Sequence, residues 1–379
     1  MIWAYKRKST PAHIRRLCTL GLSMEGIVPA LMRALLREAR CDAGVVLWFD
    51  EQGEISNIYT QGLPSPQTMK TWFSSQPFDD SGTQSQIASG LLGRRRQVIE
   101  ICADDSADAR AAGQKDPAPA CPHRRLCGNL VPSAVPLRRL CCAVVKEGVP
   151  VAALMLYRPF TSTEFSREER AAVKAAGRYL SLNGVAEPVD AGAAMYRASG
   201  EEALLYCDPD GRIVRASDNG YTLLAQASGC LINRRTIPDE IEQAGRRLIQ
   251  RLFAGAGPAS GGDSSSESRS ITVINAWGLF YLRAFSDPIG PLGVLIERVD
   301  HLLVRLAEAM WRMDLSVQQG EALLLLAQGL NHERIAARMR VTSNTVDYHI
   351  RQLYSRLGVH TRDEAIDSVL AARQLRLAA

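Results

Sequence analysis

The chain predicts an α+β multidomain fold in which antiparallel sheets flanked by helices precede an all-α domain of four helices. Three observations carry this expectation. Short apolar runs bounded by Asp, Gly and Pro turns recur between residues 43 and 157 and again between 203 and 299, the mark of hairpin-linked strands. From Leu315 onward the apolar residues fall at helical spacing instead, in four segments parted by short breaks. Two stretches, Ala103 to Ala120 and Gly255 to Ser270, are biased toward Asp, Ala, Gly, Pro and Ser and read as loops.

Taken in order, a helix is expected around Gly26 to Ala39, then a strand Ala43 to Phe49, the turn Asp50-Glu51-Gln52-Gly53 and a strand through Tyr59. Strands near Leu140 to Lys146 and Val149 to Tyr157 enclose the Glu147-Gly148 turn, and a helix Ser166 to Leu180 closes the unit. The segment Asn183 to Ala193, with Pro188 and two glycines, reads as a linker. Beyond it come a strand, an Asp-Pro-Asp-Gly turn at Asp208 to Gly211, a second strand and a short helix. Further strands are expected at Ser270 to Asn275, Leu279 to Phe285 and Gly293 to Val299.

In the last region Ser316 can cap a helix whose inner stripe is Ala322, Leu323, Leu326 and Ala327, and Gly329 supplies the left-handed residue that ends it. Glu333 to Met339 forms a short helix. After Arg340-Val341-Thr342, Ser343 is read as the N-cap of a helix with Val346, Ile350, Leu353 and Leu357 inward and Gly358 at its end. Asn344, Asp347, Tyr348, Arg351 and Ser355 face outward, with Thr345, His349, Gln352 and Arg356 along one flank. Two readings are open on periodicity alone: a helical bundle with a solvated polar face, or a helix-turn-helix whose second helix enters the major groove.

The segments AQGLNHERIAARM, VTSNTVDYHI and LYSRLGV closely resemble the LuxR-type helix-turn-helix of bacterial transcription regulators, over about sixty of the 379 residues. The resemblance implies a DNA-contacting set of Asn344, Thr345, Val346, Asp347, Tyr348, His349 and Arg351. Asp347, Tyr348 and Arg351 would face bases, and Thr345 and His349 would lie toward phosphates. Two residues depart from the pattern. Asp347 stands where many members carry lysine; phosphate would repel it, but it can accept from cytosine N4. Gln319 replaces the usual glutamate.

Upstream, KEGVPVAALMLYRPFTSTEFSREERAAVKAAGRYL resembles the end of a GAF domain, and ALLYCDPDGRIVRASDNGYTLLA resembles the opening of a PAS domain. These resemblances imply sensory domains that enclose a small molecule or only dimerise. The domain reading is therefore 1–182 GAF-like, 183–193 linker, 194–300 PAS-like, 301–313 connector helix and 314–379 helix-turn-helix. In the connector, Val299, Leu303, Leu306, Met310 and Met313 recur at spacings of 4, 3, 4 and 3, which fits either a two-heptad dimer seam or a helix packed on its own domain. A closing helix from Arg362 offers Ala365, Ile366, Val369 and Leu370 as a partner face. The dimerisation set is thus Leu303, Leu306, Met310, Ala365 and Val369.

Other chemistries find little footing. The net charge of +5 is compatible with a polyanion partner but is spread along the whole chain. No run approaches the roughly 18 apolar residues of a membrane span, and Lys6-Arg7-Lys8 is followed by no apolar signal core, so a cytoplasmic location is expected. Nine irregularly spaced cysteines then read as reduced thiols. Cys121, His123 and Cys127 lack an evident fourth ligand, and no metal site is expected there. Arg94-Arg95-Arg96 reads as a solvated charge run. No nucleophile elbow, phosphate-binding glycine loop or metalloprotease helix is found, so neither an enzyme nor a cofactor is expected.

The function expected is a DNA-binding transcription regulator with ligand- or partner-sensing domains upstream. The alternatives are a sigma-factor-like promoter reader and a LuxR-type regulator whose upstream domains only dimerise. The partners expected are double-stranded DNA, a second copy of the chain, RNA polymerase and an unspecified small-molecule ligand, with no membrane.

Overall fold

A computed structural model describes residues 10–53, 55–62, 98–102, 137–159, 161–181, 195–208, 210–231, 240–254, 269–286, 292–311, 313 and 315–374. The linker, the Arg94 to Arg96 run, the Cys121, His123 and Cys127 cluster and most of both loop stretches lie outside these residues. Among the described residues no helix is long and apolar enough to cross a membrane, and no group of three His, Cys, Asp or Glu is placed to hold a metal ion.

Two short helices, α1 (Thr10–Cys18) and α2 (Met24–Glu38), lead into the first sheet, built from β1 (Ala43–Phe49), β2 (Ile55–Gln61), β3 (Val98–Cys102), β4 (Leu137–Lys146) and β5 (Val149–Pro159). Its order is β2-β1-β5-β4-β3, antiparallel at every pairing. The β4–β5 hairpin turns on Glu147 (φ 52) and Gly148 (φ 83), the two consecutive positive-φ residues that match the right-handed twist of the flanking strands. Gly44 in β1 lets α2 close on the sheet, because a Cβ there would collide with the Met32 sulfur. Helix α3 (Arg167–Ser181) packs on α1 and β4; its Ser166 cap accepts from Glu169 N–H at 3.2 Å while Glu169 accepts from Ser166 N–H at 2.7 Å.

The second sheet repeats this order. Strands β6 (Tyr196–Cys207), β7 (Ile213–Ala216), β8 (Arg269–Asn275), β9 (Gly278–Ser286) and β10 (Leu292–His301) run β7-β6-β10-β9-β8, again antiparallel. The turn into β7 is set by Gly211 (φ 77) and by Asp208 Oδ1, which accepts from Arg212 N–H at 2.8 Å. Helices α4 (Gly220–Ser228) and α5 (Glu240–Ala254) pack on its strands.

The C-terminal third is helical: α6 (Leu302–Trp311), α7 (Val317–Ala327), α8 (His332–Met339), α9 (Ser343–Leu357) and α10 (Arg362–Gln374). Helix α6 begins directly after β10, so Val299 belongs to a strand and the stripe counted from it does not run through one helix. Leu303, Leu306 and Met310 are 3%, 0% and 0% exposed, packed within their own chain against α1, α2, β6, β10, α7 and α10. The dimer seam expected for them is corrected accordingly: a side chain buried on intrachain partners has no surface left for a second copy. Ala365 and Val369 are likewise fully buried, on a helix that packs against α6, α7 and α9.

What holds these parts together is partly apolar and partly ionic. Ser23 caps α2 by accepting from Gly26 N–H at 3.2 Å and also donates to the Ala276 carbonyl at 2.8 Å in the β8–β9 turn. In that turn Trp277 meets Trp48 edge-on at 5.8 Å and stacks on Tyr59 at 5.9 Å. Deeper in, Arg33 of α2 pairs with Glu201 of β6, with Asp300 of β10 at 3.6 Å and with Glu308 of α6 at 3.1 Å. Arg298 reaches Glu201 at 3.0 Å and Asp300 at 2.9 Å, and Arg305 reaches Glu308 at 3.1 Å. Asp300 is held by charge alone, without an aligned hydrogen bond to either oxygen. Burial opposes the Arg33 charge, but Glu308, Glu201 and Asp300 outweigh it and hold the guanidinium above its ordinary pKa. At the far end of α6, Trp311 is stacked on His13 at 4.6 Å, with the Arg37 guanidinium 5.0 Å above its ring.

Arg33→Met takes one cation from three carboxylates, of which Asp300 is fully buried, and is expected to destabilise the chain by about 3 kcal/mol; a urea midpoint that stays in place refutes this. A second expectation concerns acid. Burial, then Arg16 and Arg37, lower His13 from 6.5 to about 3, and burial lowers His301 to about 4. Both imidazoles stay neutral in the folded chain while the unfolded chain takes up protons near 6.5. Their stabilisation is therefore complete above that pH and is lost as pH falls from there toward 3, by up to about 1.4 kcal/mol per pH unit for each histidine. His13→Phe should flatten that acid slope by about one proton, measured by denaturation between pH 6.5 and 4.

Candidate nucleic-acid interface

The helix-turn-helix rests on a small core of its own. Ala322, Leu325 and Leu326 of α7, Ile335 and Ala336 of α8, and Val346 and Ile350 of α9 are all buried against one another, with Leu330, Met339, Val341 and Tyr354 around them. Helix α7 starts with a capping box: Ser316 Oγ accepts from Gln319 N–H at 3.1 Å, and Gln319 Oε1 accepts from Ser316 N–H at 2.8 Å. The amide thus does what a glutamate would do here, and the departure at this position leaves the fold intact. Gly329 adopts φ 80, as its place after the helix requires.

The turn between α8 and α9 sets the angle of the second helix. Arg340 ends α8 in the left-handed region at φ 56, a position where glycine is usual. The N-cap of α9 is Thr342, one residue before the expected Ser343; its Oγ1 accepts from Thr345 N–H at 3.3 Å and lies 2.9 Å from Thr345 Oγ1. Adjacent Thr and Ser are both competent caps, and the register is decided by which one lets Val346, Ile350 and Leu353 turn inward together.

The outward face matches expectation in most positions. Asn344 and Arg351 are exposed, and Tyr348 is 60% exposed with its ring edge-on to His349 at 5.7 Å. Thr345 and His349 are half-buried, and the Thr345 hydroxyl is engaged with the cap. Val346 is fully buried and is removed from the DNA-contacting set: a side chain closing the core cannot reach a base edge. Asp347 is not free, since its Oδ1 lies 2.6 Å from His332 Nδ1 on α8. Sequence reasoning passed over His332, together with Arg334, Arg338 and Arg340, which are exposed on and just after α8. The signal for the arginines was present, as three cations within seven residues leading to the recognition helix.

The open face contrasts with the opposite side of the domain. There Leu353, Ala365, Ile366 and Val369 join the large core that continues through α6 into the two sheets. Helix α1 reaches this side too: a Cβ on Gly320 would come within 2.7 Å of Arg16 Nη2, and the Glu321 carboxylate supports the Arg16 charge against its burial. Helix α9 therefore presents an open face while α10 is covered.

Comparison with known proteins agrees with this geometry. Residues 313–369 match the family described as bacterial regulatory proteins, luxR family. Over 52 residues the chain is 42% identical to the probable transcriptional regulatory protein SgaR of Hyphomicrobium methylovorum, covering 14% of this chain and 25% of that protein. It is 25% identical over 150 residues to the response regulator Rre1 of Synechocystis, covering 39% of this chain and 56% of that one. The chain thus spans a quarter of one curated relative and just over half of the other. Among solved structures, a GAF domain/HD domain protein from Geobacter sulfurreducens shares 18% identity, with 42% of this chain and 91% of that one covered and a TM-score of 0.29. A VqmA–ligand–DNA complex from Vibrio cholera also shares 18%, with 46% and 83% covered and a TM-score of 0.23. Scores that low support no shared architecture.

Val346→Ala is expected to cost the helix-turn-helix on the order of 2 kcal/mol in stability, from lost burial and the cavity left behind, with base preference unchanged. An altered base preference in a folded variant would return Val346 to the DNA-contacting set.

Proposed function

We propose that the chain is a sequence-specific DNA-binding transcription regulator, and not an enzyme, whose upstream units control the helix-turn-helix. The observation that carries the reading is the open N-terminal face of α9, with Asn344, Tyr348 and Arg351 exposed on a domain of LuxR type. A helix presented in this way meets base edges in the major groove, while neighbouring cations fix register on the phosphates. Arg351 is the candidate reader of guanine; Asn344, Thr345, Asp347, Tyr348 and His349 complete the contacts, with Thr345 and His349 toward the backbone.

The upstream units, 1–182 and 194–300, are read as GAF-like and PAS-like sensors of a small molecule or a partner, joined at 183–193 and continued by the connector at 301–313 into the domain 314–379. Support for control comes from the covered face of α10. A second copy of the chain can use Ala365 and Val369 only if that helix leaves α6, so the arrangement with α10 docked is read as the form that does not dimerise. Ligand or partner binding would shift the balance between docked and released forms by its difference in affinity for the two. A cytoplasmic location and a contact with RNA polymerase belong to the same reading.

Arg351→Ala should weaken binding to the selected duplex by about 1 to 3 kcal/mol while binding to random duplex changes little, read by fluorescence anisotropy. Equal loss on both duplexes would make it a backbone contact, and wild-type protein with no sequence preference would defeat the reading as a whole. Arg16→Glu places a like charge beside Glu321 and should loosen the docking. Sedimentation should then show a larger dimer fraction, with tighter binding to duplex; a variant that stays monomeric and unchanged in affinity would overturn the docked-form mechanism.

A further inference from the structure

The residue at which the recognition helix departs from the LuxR-type pattern also has a polar partner on another helix. Asp347 brings a carboxylate to a face that must approach two rows of phosphates, which repel it. Its neighbour comes from α8. His332 is the first residue of that helix, whose start is fixed by Asn331 Oδ1 accepting from Arg334 N–H at 3.0 Å. Its Nδ1 lies 2.6 Å from Asp347 Oδ1, and the two side chains are 52% and 36% exposed, so the pair lies on the open face and not in the core. Oδ1 is engaged by that contact, and Asp347 shares its helix with the exposed Asn344, Tyr348 and Arg351.

A carboxylate oxygen in the major groove seeks an exocyclic amino group. Adenine offers N6 but sets the N7 acceptor beside it, which a carboxylate opposes. Cytosine offers N4 with no acceptor beside it on the same base. We propose that His332 is a specificity-determining positioning residue: by contacting Oδ1 of Asp347 from α8, it fixes the carboxylate so that Oδ2 reads a cytosine N4 amino group. Base choice at this position is then made by two helices together. The inference rests on the DNA-binding reading above and assigns one base to one pair of side chains within it.

The test is selection from a random duplex library by the full-length wild-type chain, Asp347→Asn, His332→Ala and His332→Gln, followed by anisotropy on the selected duplex and on duplexes substituted at each position. Wild type is expected to select cytosine at one position of the site. Asp347→Asn should switch that position toward adenine, since a carboxamide both accepts from N6 and donates to N7. His332→Ala should lower the cytosine preference there about tenfold and leave the other positions alone, and His332→Gln, which keeps a donor, should restore much of it. The inference is overturned if His332→Ala leaves that preference within twofold of wild type, or if Asp347→Asn changes affinity equally for all duplexes. Wild-type protein that selects no sequence at all would instead count against the DNA-binding reading itself.

Discussion

Three arginines and three carboxylates, brought together from α2, β6, β10 and α6, form the constraint on which the arrangement of this chain depends. Arg298 and Asp300 are each 1% exposed in their side chains, far from the water that normally carries such charges. A group of this kind tolerates little displacement: moved apart, each member becomes an unpaired buried ion, and the penalty is several kcal/mol for each. The cluster contributes less to net stability than its number of contacts suggests, because desolvation takes back most of the attraction. It ties α2 and α6 to the second sheet, since displacing either separates opposite charges that are largely out of water.

The rest of the architecture follows from that placement. With α6 locked at its start by Arg305 and Glu308 and at its end by the stack of Trp311 on His13, nearly every side chain along it is buried. It then serves as the floor on which α7 and α10 rest, so one continuous apolar core runs from the first sheet to the helix-turn-helix. A change in either upstream unit has a short path to the DNA-binding domain, through packed side chains and not through a flexible tether. The same floor explains the asymmetry of that domain, open on the reading face and closed on the other.

Much of this was legible in the sequence where the signal is local. Hairpins announced by Glu147-Gly148 and by Asp208 to Gly211, the Ser316 cap and the Gly329 stop each depend on a few adjacent residues and stand in the structure where they were expected. Helix α1 and strand β3 were missed because each is short: α1 shows only Ile14, Leu17 and Cys18 as its inner stripe, and β3 is five residues long. Helix α5 was missed despite a fair signal in Leu248, Ile249 and Leu252. The ionic cluster was not legible, since its members are scattered from Arg33 to Glu308 and nothing in a sequence distinguishes a buried arginine from a solvated one. The connector stripe was ambiguous for a related reason: periodicity shows that a face is apolar, not whether the same chain or another covers it. On the open face of α9 the pairing of Asp347 with His332 crosses fifteen residues and two helices, beyond the reach of helical-wheel reasoning.

The tryptophans of the described chain fall where its parts meet. Trp48 and Trp277 couple edge-on at the contact between the two sheets, and Trp311 lies between His13 and Arg37 where α6 leaves them. Indole rings held in fixed asymmetric surroundings produce near-ultraviolet ellipticity that disappears when packing loosens, and an indole next to an imidazole and a guanidinium emits differently from one in water. The two junctions thus carry separate intrinsic chromophores. Parting of the sheets and departure of α6 from α1 would give distinguishable optical signatures, without any label attached to the protein.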